Sequence, residues 1–161
     1  MSTKQKKPVK AGEFVNTSYV DAVLREYKKS RWIQNSERIG KPDSLSVWIS
    51  MEIIEEFLNL SKMHGGDGVK FYFSAYPEDY TAKPEYAGRQ SLVMVATKSK
   101  QTEFGTTVNK DMYITRNGES TILAVDKLPM CPPFCGGSNE GGMGDLGITI
   151  VDKGPNGMEL I

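Results

Sequence analysis

Hydrophobic and polar positions along the chain sort into helical stretches first and strand-like stretches afterwards. In residues 18–29, SYVDAVLREYKK, the apolar side chains Val20, Val23, Leu24 and Tyr27 recur at helical spacing and form one stripe. Ser18 is placed to cap this helix, with Asp21 three residues further on. Residues 36–44, SERIGKPDS, carry Gly40, Pro42 and Asp43 and read as a loop. Residues 45–50, LSVWIS, are rich in β-formers and run straight into MEIIEEFLNLSKMHGG. Here Ser50 serves as N-cap, and Glu52, Glu55 and Glu56 suit the positive end of a helix dipole. Ile53, Ile54, Phe57, Leu58 and Ser61 make the face expected to be buried, His64 falls in the last turn, and Gly65 is a left-handed stop.

Residues 69–76, VKFYFSAY, alternate: Val69, Phe71, Phe73 and Ala75 point one way, expected to be the core, and Lys70, Tyr72, Ser74 and Tyr76 the other. A long polar loop, residues 77–90, follows. Residues 91–97, SLVMVAT, are almost continuously apolar, the mark of a central strand. Residues 112–125 hold two strand-like runs around Asn117–Gly118, a strong hairpin signal, and residues 148–152, ITIVD, add a last short strand. Helices early and strands late predict an α+β fold: a single mixed or mostly antiparallel sheet with two helices packed on one face. Strands 45–49 and 69–76, placed in that sheet, would be joined by a right-handed crossover through the helix between them. Residues 1–15 read as a disordered basic tail, and residues 16–161 as a single domain with a Gly-rich C-terminal segment.

A chain of 161 residues fits one domain. Its formal net charge of zero argues against a dedicated nucleic-acid binder, which carries a basic excess. Lys4, Lys6, Lys7 and Lys10 stand in a stretch without acids, so salt-sensitive contact with an anionic surface is confined to that tail. No apolar segment follows these lysines, so no secretory signal is expected. No run approaches the roughly 20 apolar residues that span a bilayer. The expected location is the cytoplasm, with reduced thiols.

Candidate chemistry is sparse. MCPPFCGG, residues 130–137, holds both cysteines. Cys131 and Cys135 make one ligand pair, His64 is the only histidine, and zinc wants four ligands. A disulfide between them needs a turn at Pro132–Pro133, because an extended spacer would hold the two about 12 Å apart. The plainest reading is a rigid elbow in which Phe134 and the thiols act as small apolar anchors. GMGDLG, residues 142–147, matches a dinucleotide-binding spacing, but no strand precedes it and no helix follows. Tyr72 and Tyr76 beside Lys70 could stack on bases, yet the glycine–aromatic signature of an RNA-binding strand is absent. No nucleophile, base and orienting group can be named together, so the chain reads as a binding module rather than an enzyme.

The best candidate surface is loop 77–90. Tyr80, Tyr86 and Arg89, with Tyr76 at its edge, are the residue types that dominate contact energies. The stretches VWISMEIIEEFL, GDGVKFYFSAYPE, LVMVAT and CPPFC, within residues 45–135, resemble a group of small uncharacterised bacterial proteins. That resemblance implies one compact domain and no mechanism. The expected function is a non-enzymatic cytosolic binding module for a protein or small ligand, without cofactor or membrane. Its contact surface would be loop 77–90 and the Gly-rich segment 136–147. The alternative is a thiol- or metal-dependent protein using Cys131, Cys135 and His64.

Overall fold

The computed structural model describes residues 10–134, 150–152 and 158–160. Helix α1 (Thr17–Tyr27) passes through a π-helical turn (Lys28–Trp32) into α2 (Ile33–Ile39). Both junctions keep right-handed backbone, so residues 17–39 form one continuous helix. It starts two residues earlier than Ser18 would cap it. Asn16 is the N-cap, its side chain accepting from Tyr19 N–H at 2.9 Å, and Ser18 donates its hydroxyl to Asn16 instead. The helix also runs past residue 29 and absorbs Ser36–Ile39 from the expected loop. Nothing before Gly40 forces a stop; Gly40, at φ +70°, supplies the left-handed C-cap.

Helix α3 (Met51–Met63) starts where the sequence places it, with Ser50 Oγ accepting from Ile53 N–H at 3.3 Å. Phe57 and Ser61 are buried, while Ile53, expected on the buried face, lies exposed on its flank. The described strands are β1 (Ser46–Val47), β2 (Gly68–Ala75), β3 (Gln90–Gln101), β4 (Thr107–Asp111), β5 (Tyr113–Arg116), β6 (Glu119–Ile122), β7 (Ala124–Val125), β8 (Met130–Cys131), β9 (Ile150–Asp152) and β10 (Met158–Leu160).

The class is α+β, but the expected single sheet is replaced by several. β3 lies between β2 and β4 and also pairs with β7; β5 pairs with β6, β1 with β8, and β9 with β10. The break comes at two single residues. Met112 N–H donates to the Ala96 carbonyl, Leu123 N–H to the Met112 carbonyl, and Ala96 N–H to the Leu123 carbonyl. This three-way junction separates β4 from β5 and β6 from β7, so the β5–β6 hairpin forms its own sheet. Its turn is the expected one: Asn117 and Gly118 both have positive φ, and Arg116 pairs with Glu119. The expected crossover from residues 45–49 to 69–76 is absent, because β1 pairs antiparallel with β8 rather than with β2.

The chain divides into two compact units. The first holds residues 10–14, 50–72 and 93–126 of the described chain; the second holds 15–49, 73–92 and 127–134 with β9 and β10. Strands β2 and β3 each contribute to both. The first unit buries Phe57, Met94, Val95, Ala96, Met112, Ile114 and Leu123. The second buries Tyr86, Leu128, Met130 and Cys131, and with them the polar residues Asp43, Ser44, Arg89 and Ser91. Buried polar groups cost free energy unless hydrogen-bonded, so these residues point to a built polar site. No helix among the described residues is long and apolar enough to cross a membrane.

Candidate binding site

Loop 77–88 is closed at its base. Tyr76 N–H donates to the Arg89 carbonyl at 3.0 Å, and Gly88 N–H returns to the Tyr76 carbonyl at 3.1 Å. Between these ends run a turn from Pro77 to Tyr80 and a short 3-10 helix, Pro84–Tyr86. A compact loop with joined ends, packed by its own side chains, is an Ω-loop. The packing here is aromatic. Tyr76 lies 4.7 Å from Tyr80 and 5.3 Å from Tyr86, ring centre to ring centre, and Tyr86 meets Phe134 edge-on at 5.7 Å. Lys83 Nζ sits 5.0 Å from the Tyr86 ring centre and 5.9 Å from that of Phe134, within cation–π range.

Beneath the loop, Arg89 joins three segments. Its Nε donates to the Glu85 carbonyl at 2.8 Å, and one terminal nitrogen donates to the carbonyls of Pro42 and Pro132. Beside it, the Asp43 carboxylate accepts from Ser44 N–H at 2.8 Å and Gln90 N–H at 2.7 Å. Burial pushes the Arg89 guanidinium below its ordinary pKa, and the Asp43 charge opposes that shift. The long helix reaches the same junction. Trp32 Nε1 donates to the Asp43 carbonyl at 2.8 Å, and Ser36 Oγ accepts from Asp43 N–H at 2.9 Å. The Tyr27 hydroxyl donates to Gln90 Oε1 at 3.2 Å, and its pKa is raised by burial and then by Asp43. Tyr27 and Trp32 are five residues apart, and the π-helical turn is what aims both at one place.

The four residues singled out in the sequence are therefore neighbours, with unequal roles. Tyr76 and Tyr80 are half-buried along the loop's aromatic wall. Tyr86 and Arg89 are only 2% and 6% exposed, so they hold the loop's shape and offer little surface. Sequence reasoning misses five further residues of the site: Lys83, Phe134, Asp43, Trp32 and Gln90. Phe134 has a signal, as the ring between the cysteines. Asp43 has none, because a buried aspartate after a proline looks like any turn residue.

The thiol candidates are distributed differently. Cys131 is buried in β8 and disulfide-bonded, which replaces the expected free thiol. Cys135 and the Gly-rich segment 136–147 lie outside the described residues. His64 is exposed at the end of α3, its N–H bonded to the Leu60 carbonyl. Among the described residues no three His, Cys, Asp or Glu side chains gather as a metal site. No family model, curated protein or solved structure matches the chain.

Proposed function

We propose that the chain is a non-enzymatic binding module that holds a protein or small ligand against the outer side of loop 77–90. The observation that carries this reading is the division of labour in the loop. Tyr86 and Arg89 fix its shape from below, leaving Tyr80, Lys83 and Phe134 as a set wall. A contact surface ordered before binding loses less entropy on association. Lys83 over two rings suits a ligand that combines an apolar or aromatic body with negative charge. The Gly-rich segment 136–147 remains part of this proposal on sequence grounds.

The test uses the immobilised full chain and the Tyr80→Ala/Lys83→Glu variant against lysate of the source cell. A partner retained by the wild type should bind the double variant about tenfold or more weakly, as for contact hot spots. Equal retention by both proteins, with both folded, removes the site assignment.

A thiol-dependent reading retains one supporting observation, the disulfide at Cys131. It also bears on location, since disulfides persist in oxidising compartments and are rare in the reducing cytosol. Alkylation of living cells before lysis decides: blocked thiols favour the cytoplasm, and unlabelled protein that gains two daltons on reduction favours an oxidising compartment.

A further inference from the structure

The first unit holds a second concavity, built from α3 and the β5–β6 hairpin. On α3, Ile53, Glu56, Phe57 and Leu60 stand at i, i+3, i+4 and i+7 and share one helix face. On the hairpin, Ile114 pairs with Thr121 and Arg116 with Glu119. Alternation along β5 therefore puts Ile114 and Arg116 on one face, with Thr121 across from Ile114. These two faces, with β7 and Asp126, line an open groove of about 450 Å³. That volume lies in the range of about 300–1,000 Å³ that holds small molecules.

The floor is apolar: Phe57, Ile114 and Leu123 are buried there. Ile53 and Ile122 stand partly exposed among the lining residues. Charge of both signs lines the same space, with Glu56 from the helix, Arg116 from the hairpin and Asp126 after β7. None of these three side chains takes part in an ion pair or hydrogen bond found among the described residues. Glu119, opposite Arg116 in the hairpin, is not within ion-pair distance of it either.

This combination selects a ligand. A purely apolar molecule would cover the floor and leave the exposed charges Glu56, Arg116 and Asp126 at the rim without a partner. A polyanion would meet Glu56 and Asp126, and a polycation would meet Arg116. We propose that the groove binds a small zwitterion with an apolar body, of the class of hydrophobic amino acids and dipeptides. The carboxylate would fork onto the Arg116 guanidinium. The ammonium would meet Glu56 or Asp126, and the side chains would cover Phe57, Leu60 and Ile114. This site is independent of loop 77–90, and either can fail without the other.

The experiment is a titration of the full chain, isoleucine methyls labelled for NMR, with L-leucyl-L-leucine. Two analogues run beside it, the C-terminal amide and the N-acetylated amide. The expected result is saturable movement of the Ile53, Ile114 and Ile122 methyl signals by the free dipeptide. Blocking the carboxylate should weaken it about tenfold, the loss expected of a charge-assisted contact. Arg116→Gln should weaken the free dipeptide to a similar degree and leave the amide unaffected, which ties the carboxylate to that side chain. The proposal is overturned by no saturable shift up to about 10 mM. It is equally overturned by saturation to which the doubly blocked analogue contributes as strongly as the free dipeptide.

Discussion

Among the described glycines, Gly66 is the one whose neighbours leave least room. A Cβ there would run into Ser61 Oγ, stand 2.7 Å from Met112 Sδ and 2.9 Å from the Ser61 carbonyl oxygen. The methionine can turn aside, but the carbonyl belongs to the last turn of α3 and cannot. Gly66→Ala should therefore destabilise the protein by about 1–3 kcal/mol, the cost of overpacking. Urea unfolding would show it as a lower midpoint at unchanged slope. A pH effect belongs to Asp111, whose carboxylate takes Lys70 Nζ at 2.8 Å and the Tyr72 hydroxyl at 2.7 Å. The Lys70 and Tyr72 hydrogen bonds hold Asp111 below its ordinary value of 3.8, and Asp111 raises Lys70 above 10.5. The wild type's advantage over Asp111→Asn should be full between those two ordinary values. It should fade as pH falls through the lowered carboxylate pKa and as pH rises through the raised lysine pKa. Because the pair is partly exposed, the advantage should also shrink with added salt. Urea midpoints across pH and salt measure all three.

Among the elements, β2 departs most from its sequence pattern. Val69, Phe71, Phe73 and Ala75 share a face, as alternation requires, but Phe71 is 61% and Phe73 84% exposed. Lys70 and Tyr72, on the other face, reach Asp111. Alternation shows which residues share a face and leaves open which face is covered, since that depends on what packs there. Phe73→Thr should accordingly change stability by less than about 0.5 kcal/mol. Met94→Ala, in the buried centre of β3, should cost about 2–5 kcal/mol. The reverse order would restore the face expected from sequence. What is legible in the sequence is local: the Ser50 cap, the Asn117–Gly118 turn and the continuous apolar run of β3 each need only near neighbours. The β1–β8 pairing joins residues far apart in the chain, and the π-helical turn replaces the three- and four-residue spacing of the apolar stripe by the five residues from Tyr27 to Trp32, so the helix looks as if it stops there. The same holds for the site. The cluster's tyrosines are recognisable by type, whereas Asp43 takes its role from chain segments that meet only in the fold.

For the whole molecule, the shared strands matter most. β2 and β3 each supply residues to both compact units, so neither unit can lose its strands without fraying the other's. Heat or urea should unfold the protein in one transition. Trp32 and Trp48 both belong to the second unit, whereas α3 belongs to the first. Far-ultraviolet circular dichroism follows the helices of both units, residues 17–39 in the second and α3 in the first, while tryptophan fluorescence follows the second alone, and their curves should superimpose. Separated midpoints would show two independently folding units.

The pairing of Ser46 with Cys131 has a consequence in time as well as space. At about 5–20 residues per second, a ribosome takes roughly 4–17 s to make the chain between them. The first unit has all its residues once Asp126 has emerged; the second must wait for Pro129–Cys131 to reach β1 and for Pro132 to meet Arg89. The loop with the aromatic wall is therefore completed only when Pro132 and Phe134 arrive, after its own sequence has long left the ribosome.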